Sequence, residues 1–157
     1  MLPDKALDSL QDGCKFIAER CNALGLNSWE GVAAQSYGHQ IDIEGGKISL
    51  AAGGGEGGFG IRVVENGKFG FAYLVDVESA DKAIKSALSI AKMSPAVDGF
   101  VLPSEQPAQS VSGLYDKNIV AMSSEDLLTQ ADAIISEVAS LDERAVVTGG
   151  GIGVSAN

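Results

Sequence analysis

The sequence predicts an α+β domain in which an antiparallel, hairpin-rich sheet is packed by three helices. Three observations carry that prediction. Apolar residues recur at helical spacing at the start of the chain, in its middle and near its end. Between the first two of these blocks the period changes to two. Inside that alternating region, Gly45-Gly46 and Asn66-Gly67 each mark a tight reversal.

The first helix is expected over residues 4–24. Leu7, Leu10, Cys14, Ile17, Cys21 and Leu24 alternate spacings of three and four and so form one stripe. Pro3 suits a helix start and Gly25 a stop, while Gly13 is a weak point within. Cys14 and Cys21 lie two turns apart, about 10 Å along a helix, which is beyond disulfide reach. They read as small apolar residues of the core stripe.

Val32–Tyr37 is expected to form a first strand. Ile41 and Ile43 alternate, Gly45-Gly46 turns, and Ile48, Leu50 and Ala52 return as a hairpin. A second hairpin runs from Phe59 to Glu65, turns at Asn66-Gly67 and returns from Lys68 to Leu74. Both turn residues tolerate positive φ, as a type I′ turn requires. A two-residue loop then fixes the register: Glu65 faces Lys68, Val63 faces Gly70, Ile61 faces Ala72 and Phe59 faces Leu74. These pairs make one apolar face. The opposite face carries Arg62, Val64, Phe69, Phe71 and Tyr73, with Arg62 across from Phe71. It is apolar enough to need a cover, so these five residues form a candidate interface.

A second helix is expected over 80–93, with Ser79 as N-cap and Ser94-Pro95 as its end. Its stripe of Ala80, Ala83, Ile84, Ala87, Leu88 and Ala91 would let it lie close to a sheet. Residues 94–122 are polar, contain Pro103 and Pro107 beyond Pro95, and read as an irregular linking segment. Ser123 and Asp126 have capping-box spacing before a third helix whose stripe is Leu127, Leu128, Ala131, Ile134, Ile135 and Val138. Residues 145–156 return to a strand pattern interrupted by Gly149-Gly150-Gly151. A terminal strand without a closing element reads as a domain that continues beyond residue 157.

Composition narrows the partners. The formal charge is −10, and no basic run offsets it. Such a surface repels phosphate backbones and anionic lipid heads, which argues against nucleic acid and membrane partners. No apolar stretch approaches the roughly 20 residues of a membrane span. The first residues lack the basic and apolar regions of a secretory signal, so a cytoplasmic location is expected.

The short motifs carry little chemistry. Gly55-Glu56-Gly57-Gly58-Phe59-Gly60 matches G-x-G-x-x-G, but phosphate cradling needs a following helix N-terminus, and here a strand follows. The Gly-rich run 53–60 is instead expected to be a flexible, bulged loop leading into the second hairpin. Ser79-Ala80-Asp81-Lys82 matches S-x-x-K without the S-D-N or K-T-G companions. His39, the only histidine, is expected to be an ordinary residue at a strand edge. The acidic residues, among them Asp4, Asp8, Asp76 and Glu78, are scattered, and none has a partner spacing that singles it out for acid–base work. No catalytic, metal-binding or cofactor-binding residue is assigned.

The run from Gly58 to Tyr73 (GFGIRVVENGKFGFAY) resembles the signature of the TldD/PmbA family: a G-x-G-x-R-V strand, a turn, then a Gly-Phe-Ala strand. The helix at Ala83–Lys92 follows as in that family. So do Leu114-Tyr115-Asp116, the helix after Ser123 and the Gly-rich strand ending in Val154-Ser155-Ala156-Asn157. The resemblance spans nearly the whole chain and covers the family's amino-terminal domain. It implies a cytoplasmic zinc metallopeptidase system, historically called a modulator of DNA gyrase, that acts on peptides and assembles as a homo- or hetero-dimer. The family's zinc site lies on a His-Glu-x-x-x-His helix beyond this domain. One histidine cannot supply it, so no cofactor is expected in this chain and zinc is expected in the carboxy-terminal part. The expected partners are the remainder of the same protein, a second family member and the peptide substrate. The implied role is a non-catalytic one, in dimer assembly or in covering a substrate channel. The alternative is a stand-alone module that binds a ligand or peptide without enzymatic activity.

Overall fold

The structure is a computed structural model that describes residues 4–104, 106, 107 and 109–157, with side chains described from residue 7. Pro3, read from sequence as a helix start, and the side chain of Asp4 lie outside the described residues. The elements in chain order are α1 (Asp4–Ala23), β1 (Trp29–Glu44), β2 (Lys47–Glu65), β3 (Lys68–Leu74), a 3-10 turn (Val77–Ser79), α2 (Ala80–Met93), α3 (Lys117–Val120), α4 (Ser124–Leu141) and β4 (Gly149–Ala156). The strands form one antiparallel sheet in the order β3-β2-β1-β4. The fold is α+β, as the alternating and helical periods require.

Two compact units divide the chain, one of residues 36–56 and 111–157, the other of residues 4–35 and 57–110. The long strands β1 and β2 contribute to both.

In the second unit, α1 and α2 cover one face of the sheet. Ile17 and Cys21 of α1 and Ala80, Ala83, Ile84 and Ala87 of α2 bury against Phe59, Ile61, Val63 and Leu74. Two glycines make this packing possible. A Cβ on Gly70 would fall on the carbonyl oxygen of Ala87, so α2 rests directly on the backbone of β3. A Cβ on Gly13 would fall on the Phe59 ring, so the gap in α1 is where that ring inserts. Gly13 thus contributes packing that offsets its helix-propensity cost. Arg20 and Asp81 join α1 to α2, with Arg20 Nε donating to Asp81 Oδ1 at 2.7 Å. The shared bonds hold the Asp81 carboxyl below its usual range and raise the Arg20 guanidinium.

The second hairpin has the register derived from its turn: Phe59↔Leu74, Ile61↔Ala72, Arg62↔Phe71, Val63↔Gly70 and Glu65↔Lys68. Asn66 and Gly67 have φ of 53° and 72°, the positive values that a type I′ turn demands.

In the first unit, Ile41 and Ile43 of β1 bury against Leu127 and Ala131 of α4, with Ile48, Met122, Ile152 and Val154 around them. Gly45 and Gly46 turn the first hairpin with φ of 57° and 75°. Their amides donate to Thr148 and Val147 carbonyls at 3.2 and 2.8 Å. The capping box at α4 is present: Asp126 N donates to Ser123 Oγ at 3.2 Å and Ser123 N to Asp126 Oδ2 at 2.8 Å.

Several local expectations are corrected. The first strand begins at Trp29 and continues unbroken to Glu44, absorbing the separate Val32–Tyr37 segment. The Gly-rich run 53–60 is not a loop: it lies inside β2, where neighbouring strands supply the hydrogen bonds that side chains do not. Ser79 makes no side-chain cap for α2. The side-chain cap falls one turn earlier, where Asp76 Oδ1 accepts from Glu78 N at 3.0 Å and opens the 3-10 turn. Within residues 94–122, the single turn α3 forms, capped by Asp116.

Candidate functional site

All five candidate interface residues lie on the face of the β2–β3 hairpin turned away from the helices. This follows from strand alternation: Ile61, Val63 and Leu74 are buried, so Arg62, Val64, Phe69, Phe71 and Tyr73 point the other way. Phe71 and Tyr73 are 50% and 58% exposed, and Phe69 is 37% exposed.

The rings lie flat because β2 presents glycine beneath them. A Cβ on Gly60 would sit 2.8 Å from the Phe71 ring, and one on Gly58 would collide with the Tyr73 hydroxyl. The Tyr73 hydroxyl donates to the Gly57 carbonyl at 2.8 Å, which fixes its ring across the strand. Bare glycine backbone shielded by a cross-strand aromatic ring is a known stabilising arrangement. The surface that results exposes the Phe71 and Tyr73 rings side by side on one face of the hairpin.

Charge on this face is neutralised within it. Arg62 Nη1 lies 2.7 Å from Glu30 Oε1 of β1. Sequence reasoning placed Arg62 but missed Glu30, because it ended the first hairpin near Ala52 and took the Gly-rich run 53–60 as a loop, so the pairing that starts at Gly45-Gly46 was not followed out to Glu30. Two further apolar members were also missed. Val32, 58% exposed, alternates with the core-packed Ala33 and so shares this face. Phe100 stacks on Phe69, with centroids 5.1 Å apart and planes 24° apart. The segment after α2 brings Phe100 there by bonding back to the hairpin tip, Val97 N donating to Gly67 O at 2.8 Å. The chain therefore covers one end of the face itself and leaves Phe71 and Tyr73 open.

The other motifs do not assemble into a reaction centre. Gly55–Gly60 is strand flanked by strand, without the helix N-terminus that phosphate binding needs. His39 is not at a strand end but in the interior of β1, paired with Val154 of β4. Its Nδ1 is 2.7 Å from Ser124 Oγ in the first turn of α4, and Tyr37 meets the ring edge-on at 5.0 Å. A Cβ on Gly53 would collide with the imidazole, so glycine there is the space the ring occupies. Among the described residues, His39 has no carboxylate hydrogen-bond partner to orient it as a base, and the contact reads as a tie between β1 and α4. An open trough of about 620 Å³ lies over Gly53–Gly55 beside Tyr37, His39 and Glu56.

Among the described residues, the side chains do not fit a zinc site. The lone imidazole already has one nitrogen engaged. Among the described residues, no three His, Cys, Asp or Glu side chains come together in metal-binding geometry. Cys21 is fully buried and its thiol is pushed up to about 11 by that burial, which keeps it protonated and inert. No helix among the described residues is long and apolar enough to cross a membrane.

A hairpin of this register, packed on two helices and followed by a capped helix and a Gly-rich strand, defines an α+β class of domain built on an antiparallel sheet. Residues 29–91 match the family model described as PmbA/TldA metallopeptidase domain 1. Over that segment the chain is similar to the first domain of the PmbA/TldD family. An uncharacterised protein of Methanocaldococcus jannaschii is 30% identical over 120 residues, which are 75% of this chain and 27% of that one. The crystal structure of TldE from Thermococcus kodakarensis aligns with a TM-score of 0.74 at 22% identity, covering 94% of this chain and 32% of that one. A Bacteroides thetaiotaomicron protein, described as a candidate modulator of DNA gyrase, aligns with a TM-score of 0.69 at 16% identity, covering 99% of this chain and 35% of that one. At these identities the solved structures show a shared fold. The chain spans about a quarter of the curated relative's length and about a third of the solved ones.

Proposed function

We propose that this chain is the non-catalytic amino-terminal domain of a cytoplasmic TldD/PmbA-type metallopeptidase that acts on peptides. Its aromatic face contributes to assembling a homo- or hetero-dimer or to covering the substrate channel. The observation that supports this is the outer face of the β2–β3 hairpin. Phe71 and Tyr73 are half or more exposed on paired strands, and Arg62, across from Phe71, is already paired with Glu30. Exposed aromatic residues on a charge-neutral patch are what buried interface cores are made of. An acidic surface supports protein rather than nucleic-acid partners. Zinc and hydrolysis belong, on this reading, to polypeptide outside these 157 residues.

The test is association with the remainder of the full-length protein. Phe71→Glu combined with Tyr73→Glu places two charges on the face without touching the core. The double variant should keep its circular dichroism spectrum and bind the remainder at least tenfold more weakly. Unchanged co-elution in size-exclusion chromatography would refute the role of this face.

A further inference from the structure

β3 carries aromatic residues at alternate positions, Phe69, Phe71 and Tyr73, so their rings run in a row along one face of the hairpin. Phe71 and Tyr73 are open, but Phe69 has the Phe100 ring stacked on it. The segment that delivers Phe100 starts where α2 ends. Ser94 N bonds back to the Ile90 and Ala91 carbonyls, and Pro95 has no amide with which to continue the helix. Ala96 and Val97 then pass the hairpin tip, where a Cβ on Gly67 would stand 3.5 Å from Val97 O and 3.9 Å from Ala96 Cβ. Gly99, with φ of 72°, reverses the chain, and Phe100 N closes the turn by donating to Val97 O at 3.2 Å. Among the described residues, one hydrogen bond ties residues 95–100 to the hairpin, Val97 N to Gly67 O at 2.8 Å. Val97, Asp98 and Gly99 are exposed, and neither buried core includes any residue of this segment.

We propose that residues 96–100 are a strap that occupies the Phe69 end of the aromatic face and is displaced when a partner docks, the partner bringing an aromatic side chain of its own to Phe69. This rests on the reading of that face as an interface. The strap is a sample of what the face accepts: a ring nearly parallel to Phe69, with planes 24° apart, and a backbone amide that finds the Gly67 carbonyl. A partner with the same two groups can make the same contacts and add others to Phe71 and Tyr73, which the strap leaves exposed. Docking over the closed strap is the poorer route. It would bury the Asp98 carboxylate or leave a gap beside it, whereas lifting the strap takes that charge out of the interface. A tethered competitor acts at high effective concentration. The apparent affinity of the face is lowered by the fraction of molecules in which the strap is closed. Weak docking of unrelated apolar surfaces is thereby suppressed, and a partner that replaces the strap contact by contact is favoured.

The test measures association of strap variants with the remainder of the full-length protein. Phe100→Ala takes the ring off Phe69 and should strengthen association at least threefold. Phe100→Trp enlarges the stack and should weaken association by a similar factor. Gly99→Val strains the turn at its positive φ and should act as Phe100→Ala does. All three should leave the circular dichroism melt little changed, and the two loosening variants should speed exchange of the Val97 amide. The free peptide acetyl-Ala-Val-Asp-Gly-Phe-Val-amide, the sequence of residues 96–101, should displace the remainder from the Phe100→Ala chain at millimolar concentration. The same peptide with alanine for phenylalanine should not. The proposal is overturned if Phe100→Ala weakens association or leaves it unchanged, or if the peptide without its ring competes equally well. The two readings fail separately. Loss of association in the Phe71→Glu, Tyr73→Glu variant, without a gain in Phe100→Ala, would keep the face as an interface and make the strap a fixed part of it. Unchanged association in the double glutamate variant would remove the interface, and the competitor role with it.

Discussion

At the scale of single residues, glycine decides more of this fold than any side chain. Gly70 faces the helices, and its missing Cβ is where the Ala87 carbonyl rests. Gly70→Ala cannot be relieved by a rotamer change, because the obstacle is helix backbone. The helix must lift from β3, opening gaps beside Ala83, Ile84 and Ala87, all of which are buried. Overpacking of this kind costs about 1–3 kcal/mol or more, so the variant should show a lowered urea midpoint with an unchanged m-value. A midpoint equal to that of the parent would mean that α2 is free to slide. The sequence marked α2 as a helix that could lie close to a sheet, through its alanine stripe, and paired Gly70 with Val63. It did not reveal that the helix would touch backbone there. Distances between layers depend on side chains from several elements at once, and no local pattern encodes them. The same limit hid Glu30 and Phe100, whose partners Arg62 and Phe69 are 32 and 31 residues away.

At the scale of elements, legibility followed how local the causes were. The I′ hairpin and the Ser123–Asp126 box were readable because each is set by residues within a few positions of one another. The Gly-rich part of β2 was not, because glycine has little strand propensity of its own; it is strand only because neighbours hydrogen-bond to it. The box at α4 also carries a pH dependence. Backbone and side-chain bonds from Ser123 hold the Asp126 carboxyl below its ordinary range. A depressed folded-state pKa contributes stability above the unfolded value, and that contribution is lost as pH falls through the folded value. Acid should therefore loosen α4 from about pH 4 downward. Ser123→Ala removes the hydroxyl that accepts from Asp126 N and one of the two bonds to its carboxylate. It should lower stability by about 1 kcal/mol at neutral pH and flatten the loss of stability below about pH 4. An acid limb as steep as the parent's, followed by thermal unfolding, would place the pH dependence elsewhere.

At the scale of the molecule, the two units have unequal means of holding together. Among the described residues, one core gathers ten buried residues from α1, α2, β2 and β3, including Ile17, Ile61, Val63 and Ile84. The other gathers four, Ile41, Ile43, Leu127 and Ala131. Each large aliphatic side chain fully buried contributes roughly 1.5–3 kcal/mol before the entropy of ordering is subtracted. The smaller core also draws its helix, α4, from across a long connection, whereas α2 follows β3 after only a 3-10 turn. Local instability should therefore concentrate in the unit built on α4. Its boundaries were not visible in the sequence, because β1 and β2 run through both units without a break. Native-state hydrogen exchange in rising urea separates such units by their opening free energies. The amides of α4 and of the β4 ladder should merge into an opening reaction at lower urea than those of α2 and β3. Ile41→Ala should speed exchange in α4 without changing the most protected amides of α2. A single isotherm joining both sets, shifted as one by Ile41→Ala, would instead show one cooperative core and contradict the division by burial.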